Sequence, residues 1–186
     1  MGLDMYLYAS KYESRMEGRN KQEEVENFYP EDLKKIGKEI FKSNFMSKIT
    51  RYQIGYWRKF NALQGYFTRM VEDDHELLHG IYVSEDDIKE LIKTMEKVKK
   101  ALKECPTRTI KICNGWANGE KTYIDVKVYE CEVAEELLPP SSGFCYGSEY
   151  IDDYYVEDLN YAIKLFKKAL KLSQDLDYDI IYEASW

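Results

Sequence analysis

The stretch Thr109-Ile110-Lys111-Ile112-Cys113-Asn114-Gly115-Trp116-Ala117-Asn118-Gly119-Glu120-Lys121-Thr122-Tyr123-Ile124-Asp125-Val126-Lys127-Val128 decides the fold class. Its arms, Thr109–Cys113 and 122–133, are rich in β-branched and aromatic residues, which favour strands. Between them stand Asn114-Gly115 and Asn118-Gly119, dipeptides that tolerate positive φ and close hairpins. A hairpin is an antiparallel connection, so a doubly wound parallel sheet is disfavoured wherever helices lie on either side of it.

They do lie on either side. Upstream, Ser84-Glu85-Asp86-Asp87 is a capping box: the serine hydroxyl accepts an amide proton and the carboxylate three residues on reciprocates. The helix it starts is expected to run to about Glu104, with Ile88, Leu91, Ile92, Met95, Val98 and Leu102 on one face. Downstream, the Pro139-Pro140 pair breaks the chain, and a second long helix is expected from about Tyr155 to Ser173 on Leu159, Ile163, Phe166 and Ala169. A shorter helix is expected after Pro30, on Leu33, Ile36, Ile40 and Phe41, and another over 57–71, on Phe60, Leu63, Phe67 and Met70. Strands are expected at 3–9, 50–55 and 179–186. The whole reads as α+β: one domain over residues 1–186, an antiparallel or mixed sheet with a β-hairpin packed against three to four helices. Residues 10–29 are expected to form a mobile loop, and 72–82 and 139–150 connectors.

At 186 residues the chain can bury a sizeable core without metal or disulfide. No apolar run approaches the roughly 20 residues that span a bilayer, and the first residues lack a charged leader before an apolar core. The motif for myristoylation after Met1-Gly2 fails at Tyr6. A soluble, cytoplasmic protein is therefore expected. Cys105, Cys113, Cys131 and Cys145 show no metal-ligand spacing, so reduced thiols and no cofactor are expected. The net charge of −7 argues against general nucleic-acid binding.

Few motifs carry chemistry. His75-Glu76-Leu77-Leu78-His79 has the HExxH form, which on an α-helix places two zinc-binding imidazoles one turn apart. These are the only two histidines, Gly80 follows at once, and no third ligand is marked by spacing, so a solvated connector is the favoured reading. Phosphate loops and nucleophile elbows are absent. The charges, by contrast, are segregated. Residues 42–69 contain Lys42, Lys48, Arg51, Arg58, Lys59 and Arg69 and no acid, whereas 130–158 contain nine acids and no base. Such blocks pair within the molecule, pair between subunits of a homo-oligomer, or present separate fields to partners. Within the basic block, Tyr56-Trp57-Arg58-Lys59-Phe60-Asn61 concentrates a stacking face, a bidentate fork, a point charge and an amide at an expected helix start.

The same residues carry a family resemblance. The opening Met1-Gly2-Leu3-Asp4-Met5-Tyr6-Leu7, Tyr56-Trp57-Arg58-Lys59 with Asn61, Pro140-x-x-Gly143-Phe144 with Gly147-Ser148, Tyr154-Tyr155 and the closing Ser185-Trp186 resemble a family of small, largely uncharacterised phage and prophage proteins. The resemblance spans most of the chain as short blocks in a fixed order. Similar proteins often carry a histidine near Gln64, which this chain lacks, so no histidine-dependent catalysis is expected. The resemblance implies a phage-encoded accessory protein acting in a host bacterial cell.

Two functional readings follow. In the first, Trp57, Arg58, Lys59 and Asn61 grip a small anionic, nucleotide-like ligand and Tyr146, Tyr150 and Trp186 close its aromatic side, with no enzymatic step. In the second, the acidic, tyrosine-rich segment 146–158 docks on a basic surface of a host protein and inhibits it. A zinc hydrolase built on His75 and His79 is the least favoured.

Overall fold

The computed structural model describes residues 2–16, 45–117, 119–143 and 146–186. The helix expected after Pro30, with Asn118, Phe144 and Cys145, lies outside the described residues. The fold is α+β. In chain order the elements are β1 (Asp4–Met16), β2 (Phe45–Arg58), α1 (Asn61–Thr68), a short 3₁₀ helix (Asp74–Leu78), β3 (Ile81–Tyr82), α2 (Glu85–Ala101), β4 (Thr107–Ala117), β5 (Glu120–Tyr129), α3 (Glu132–Leu137), α4 (Asp153–Leu176) and β6 (Asp179–Ser185). No described helix is long and apolar enough to cross a membrane.

The chain divides into two compact units, one formed by residues 1–9 with 53–186 and the other by 10–52. In the larger unit the strands lie in the order β2-β1-β6-β3, and β4 and β5 form a separate ribbon. Side chains alternate along these strands, as a half-buried sheet requires. Leu3 just before β1, Met5, Leu7 and Ala9 of β1, Trp57 of β2 and Ile180, Tyr182 and Ala184 of β6 are buried, while Tyr56 and Arg58 point away from the core. On the buried face lie Phe60, which precedes α1, with Leu63 and Phe67 of α1, Ile88, Leu91, Met95 and Val98 of α2, and Leu159, Ile163, Phe166 and Ala169 of α4. Gly55 allows the close approach of α4 to β2, since a methyl there would collide with Leu165 Cδ2. The smaller unit contains the remainder of β1 and β2, where Lys48 pairs with Glu13 at 2.9 Å.

Several boundaries differ from expectation, each for a local reason. β1 continues to Met16 through residues expected as loop, because its backbone pairs with β2 and its polar side chains need no buried face. β2 runs to Arg58 and α1 starts only at Asn61: burial of Gly55 and Trp57 with exposure of Tyr56 and Arg58 is a period of two, and Lys59 then turns left-handed. The connector at 72–82 contains the 3₁₀ helix and β3, which pairs antiparallel with β6 through Ile81 opposite Tyr182. The hairpin forms as expected, but Asn114-Gly115 is its bulge, and the turn falls at Gly119 with φ of 84°. β5 ends at Tyr129, and Glu132-Val133-Ala134-Glu135-Glu136-Leu137, rich in helix formers, folds as α3. The capping box at Ser84 and Asp87 is formed.

Candidate functional site

The site begins where β2 ends. Arg58 is its last residue, and Lys59 reverses the chain with φ of 67°, a conformation costing a side-chain-bearing residue roughly 1–2 kcal/mol. Its amide donates to the Leu3 carbonyl at 2.9 Å, which fixes the turn against β1. Asn61, the first residue of α1, turns its buried amide away from solvent and donates to the carbonyls of Ser148 at 2.8 Å and Tyr146 at 3.3 Å. A segment distant in sequence is thereby tied onto the turn. Gly147 makes this approach sterically feasible: its φ is 104°, and an added methyl would lie 2.9 Å from Lys59 Cβ.

The other side is the start of α4. Asp152 is buried and caps the helix, its Oδ1 accepting from the Tyr155 amide at 3.0 Å. Tyr155 packs edge-on to Phe60 and donates its hydroxyl to the Leu138 carbonyl at 2.9 Å; burial raises that phenol far above its ordinary range. One turn on, Asp158 is half-buried. Desolvation, with the nearby charges of Glu157 and Asp152, pushes its carboxyl up to about 6.

Between these elements lies a cavity of about 250 Å³. The β2–α1 turn lines it with Arg58, Lys59, Phe60 and Asn61, the connector with Gly147, Ser148 and Tyr150, and α4 and its cap with Asp152, Tyr154, Tyr155 and Asp158. Arg58 and Lys59 are exposed and, among the described residues, enter no ion pair. Acids of the 130–158 block find partners on the ribbon instead: Glu130 pairs with Arg108 at 2.8 Å and Asp153 with Lys127 at 3.8 Å.

Of the residues singled out in the sequence, Arg58, Lys59, Asn61 and Tyr150 line this cavity. Asn61 holds the connector, so it positions the wall. Trp57 is elsewhere: it is 2% exposed, stacked on Phe166 at 5.9 Å and tilted to Tyr161 at 5.5 Å, a core residue on the inner sheet face. Tyr146 and Trp186 form an edge-to-face pair at 6.5 Å that is not part of the cavity lining. Sequence reasoning missed Tyr154 and Asp158 as individual lining residues. The available signal was Asp152 as a helix cap, which places both on the first turns of α4.

The histidines stand in a different setting. Residues 74–78 form a 3₁₀ helix and His79 lies past its end, so the α-helical turn that would stack the two imidazoles of HExxH is not formed. His75 Nδ1 lies 2.9 Å from Asp73 Oδ1 and 3.3 Å from Asp74, and these carboxylates raise its pKa. Asp73, Asp74 and His75 bring ligand atoms within 4.8 Å of one another on the surface; His79 is outside that group. Cys105, Cys113 and Cys131 are free thiols.

Compared with protein-family models, curated proteins and solved structures, the chain matches none.

Proposed function

We propose that this chain is a non-enzymatic binder of a small anionic, nucleotide-like ligand, held in the cavity between the β2–α1 turn and the start of α4. The observation carrying this reading is a pair of exposed cations that enter no ion pair among the described residues, Arg58 and Lys59, beside a cavity also lined by Tyr150 and Tyr154. Guanidinium and ammonium groups neutralise phosphate, and tyrosine faces stack on bases. Pockets for small molecules span about 300–1,000 Å³, and at about 250 Å³ this cavity lies just below that range, so a small ligand would be held only partly enclosed. The α1 N-terminus, with no side-chain cap, places the positive end of its dipole on the same side. Given the resemblance to small phage and prophage proteins, such a binder would sequester a host nucleotide, countering host defence or remodelling the host from within the bacterial cell.

The test is isothermal calorimetry with a panel of nucleoside phosphates on wild type and Arg58→Ala. The variant should lose binding while its melting temperature stays within about 1 °C, since an exposed arginine contributes little to stability. Unchanged affinity would remove Arg58 from the site.

A second reading has one observation in its favour: Tyr154 is 77% exposed beside exposed Asp153, at the start of α4. That pair would dock the 146–158 segment on a basic protein surface, and Asp153→Asn with Tyr154→Ala would abolish a salt-sensitive association. The buried cap Asp152 belongs to the fold and is not available for such contact.

A further inference from the structure

We infer that the cavity selects a nucleoside monophosphate over a di- or triphosphate, with the carboxylate of Asp158 accepting a hydrogen bond from the sugar or base. This rests on the nucleotide-binding reading above and narrows it. The argument is one of charge matching. The cavity lining holds two cations, Arg58 and Lys59, both from the β2–α1 turn, and two carboxylates, Asp152 and Asp158, both from the start of α4. One terminal phosphate carries about −1.5 to −2 at neutral pH, which two cations offset. Each further phosphate adds a negative charge with no remaining cation to meet it, and a cavity of about 250 Å³ brings it toward the carboxylates.

The carboxylate side is equally informative. Asp152 commits Oδ1 to the Tyr155 amide, so it is fixed in place. Asp158 has no hydrogen bond or ion pair among the described residues, and it stands one turn along the helix from Tyr154 and Tyr155. A half-buried carboxylate facing a cavity is suited to accept O–H or N–H donors, and a free phosphate offers its one or two hydroxyls only together with a negative charge that a carboxylate repels. Sugar hydroxyls and exocyclic amines supply them. A ligand with one anionic end and one donor-rich end satisfies both sides, and the exposed rings of Tyr150 and Tyr154 are placed to stack on its base.

The experiment uses the full chain at pH 7.5 and compares, by calorimetry, inorganic phosphate with the mono- and triphosphates of adenosine, guanosine, cytidine and uridine. It is run with chelator and again with magnesium, for wild type and Asp158→Asn. At least one monophosphate should bind wild type more tightly than its triphosphate, with or without magnesium. Asp158→Asn should weaken that monophosphate about tenfold, the scale of one hydrogen bond to a charged group, and leave inorganic phosphate unchanged or tighter. A triphosphate that binds as tightly as its monophosphate, or a monophosphate affinity indifferent to Asp158→Asn, would overturn this inference and leave the nucleotide reading intact. No binding of any nucleoside phosphate to wild type would overturn both.

Discussion

Gly147 rests against Lys59. Both have positive φ, 104° and 67°, and the space for a Cβ on Gly147 is already occupied by the Lys59 Cβ at 2.9 Å and its carbonyl oxygen at 3.2 Å. The cavity therefore depends on a backbone-to-backbone approach that one methyl group would prevent.

Gly147→Ala should destabilise the protein by about 1–3 kcal/mol, combining left-handed strain with the contact at Lys59. Gly119→Ala is the control: φ is 84° at the tip of the ribbon and a methyl would meet nothing within 4 Å, so strain alone acts, at about 1 kcal/mol. Chemical denaturation of the two variants separates contact from strain. Ligand affinity should fall in Gly147→Ala only, because only there does the cavity wall move. Equal losses of stability would show that the approach of Gly147 to Lys59 contributes nothing.

Trp57→Phe asks whether this tryptophan belongs to the core or to the ligand. Its indole Nε1 is buried and has no hydrogen-bond partner among the described residues, a state costing about 1–3 kcal/mol. Phenylalanine loses part of the buried ring but removes that orphan donor and keeps stacking on Phe166. The net change in stability should lie within about 1 kcal/mol, well below the 3–5 kcal/mol of a tryptophan truncated to alanine. Affinity for nucleotides should not change, since Trp57 does not line the cavity. A tenfold loss of affinity at retained stability would return Trp57 to the site.

What was legible in the sequence is what local chemistry controls. The capping box at Ser84 forms because its partners are three residues apart, and α2 and α4 follow from apolar residues at helical spacing. The hairpin is similarly local, although Asn114-Gly115 and Asn118-Gly119 carry the same turn signal and only tertiary pairing makes one the bulge. The cationic half of the site was legible because Arg58, Lys59 and Asn61 are neighbours in sequence. Its other half was not: Asp158 stands about 100 positions away, and only the packing of α4 beside the β2–α1 turn brings it to the cavity. Trp57 was misplaced for a related reason. Reading 57–71 as a helix put its ring on a helix start, whereas the period-two burial of β2 sends it into the core.

Asp158 also gives the molecule a signature in pH. Its carboxyl titrates near 6 in the folded protein against an ordinary 3.8, raised first by burial, then by Glu157 and Asp152. A raised folded-state pKa means that the ionised form is disfavoured by folding. Below about pH 4 the group is neutral in both states and adds no penalty. As pH rises from about 4 to 6 the unfolded chain releases this proton before the folded one, so stability is lost across that window and levels off above it. Asp158→Asn removes the titration, and the variant should be more stable than wild type at pH 7 by about 1–2 kcal/mol, after discounting for the solvent that screens a half-exposed carboxyl. Urea denaturation of both proteins from pH 3.5 to 7.5 measures the difference curve, in which the other carboxylates cancel. That curve should be flat below about pH 4, rise between 4 and 6, and plateau. A flat difference throughout would show that Asp158 ionises as freely as a surface carboxylate and that its place beside the cavity does not desolvate it.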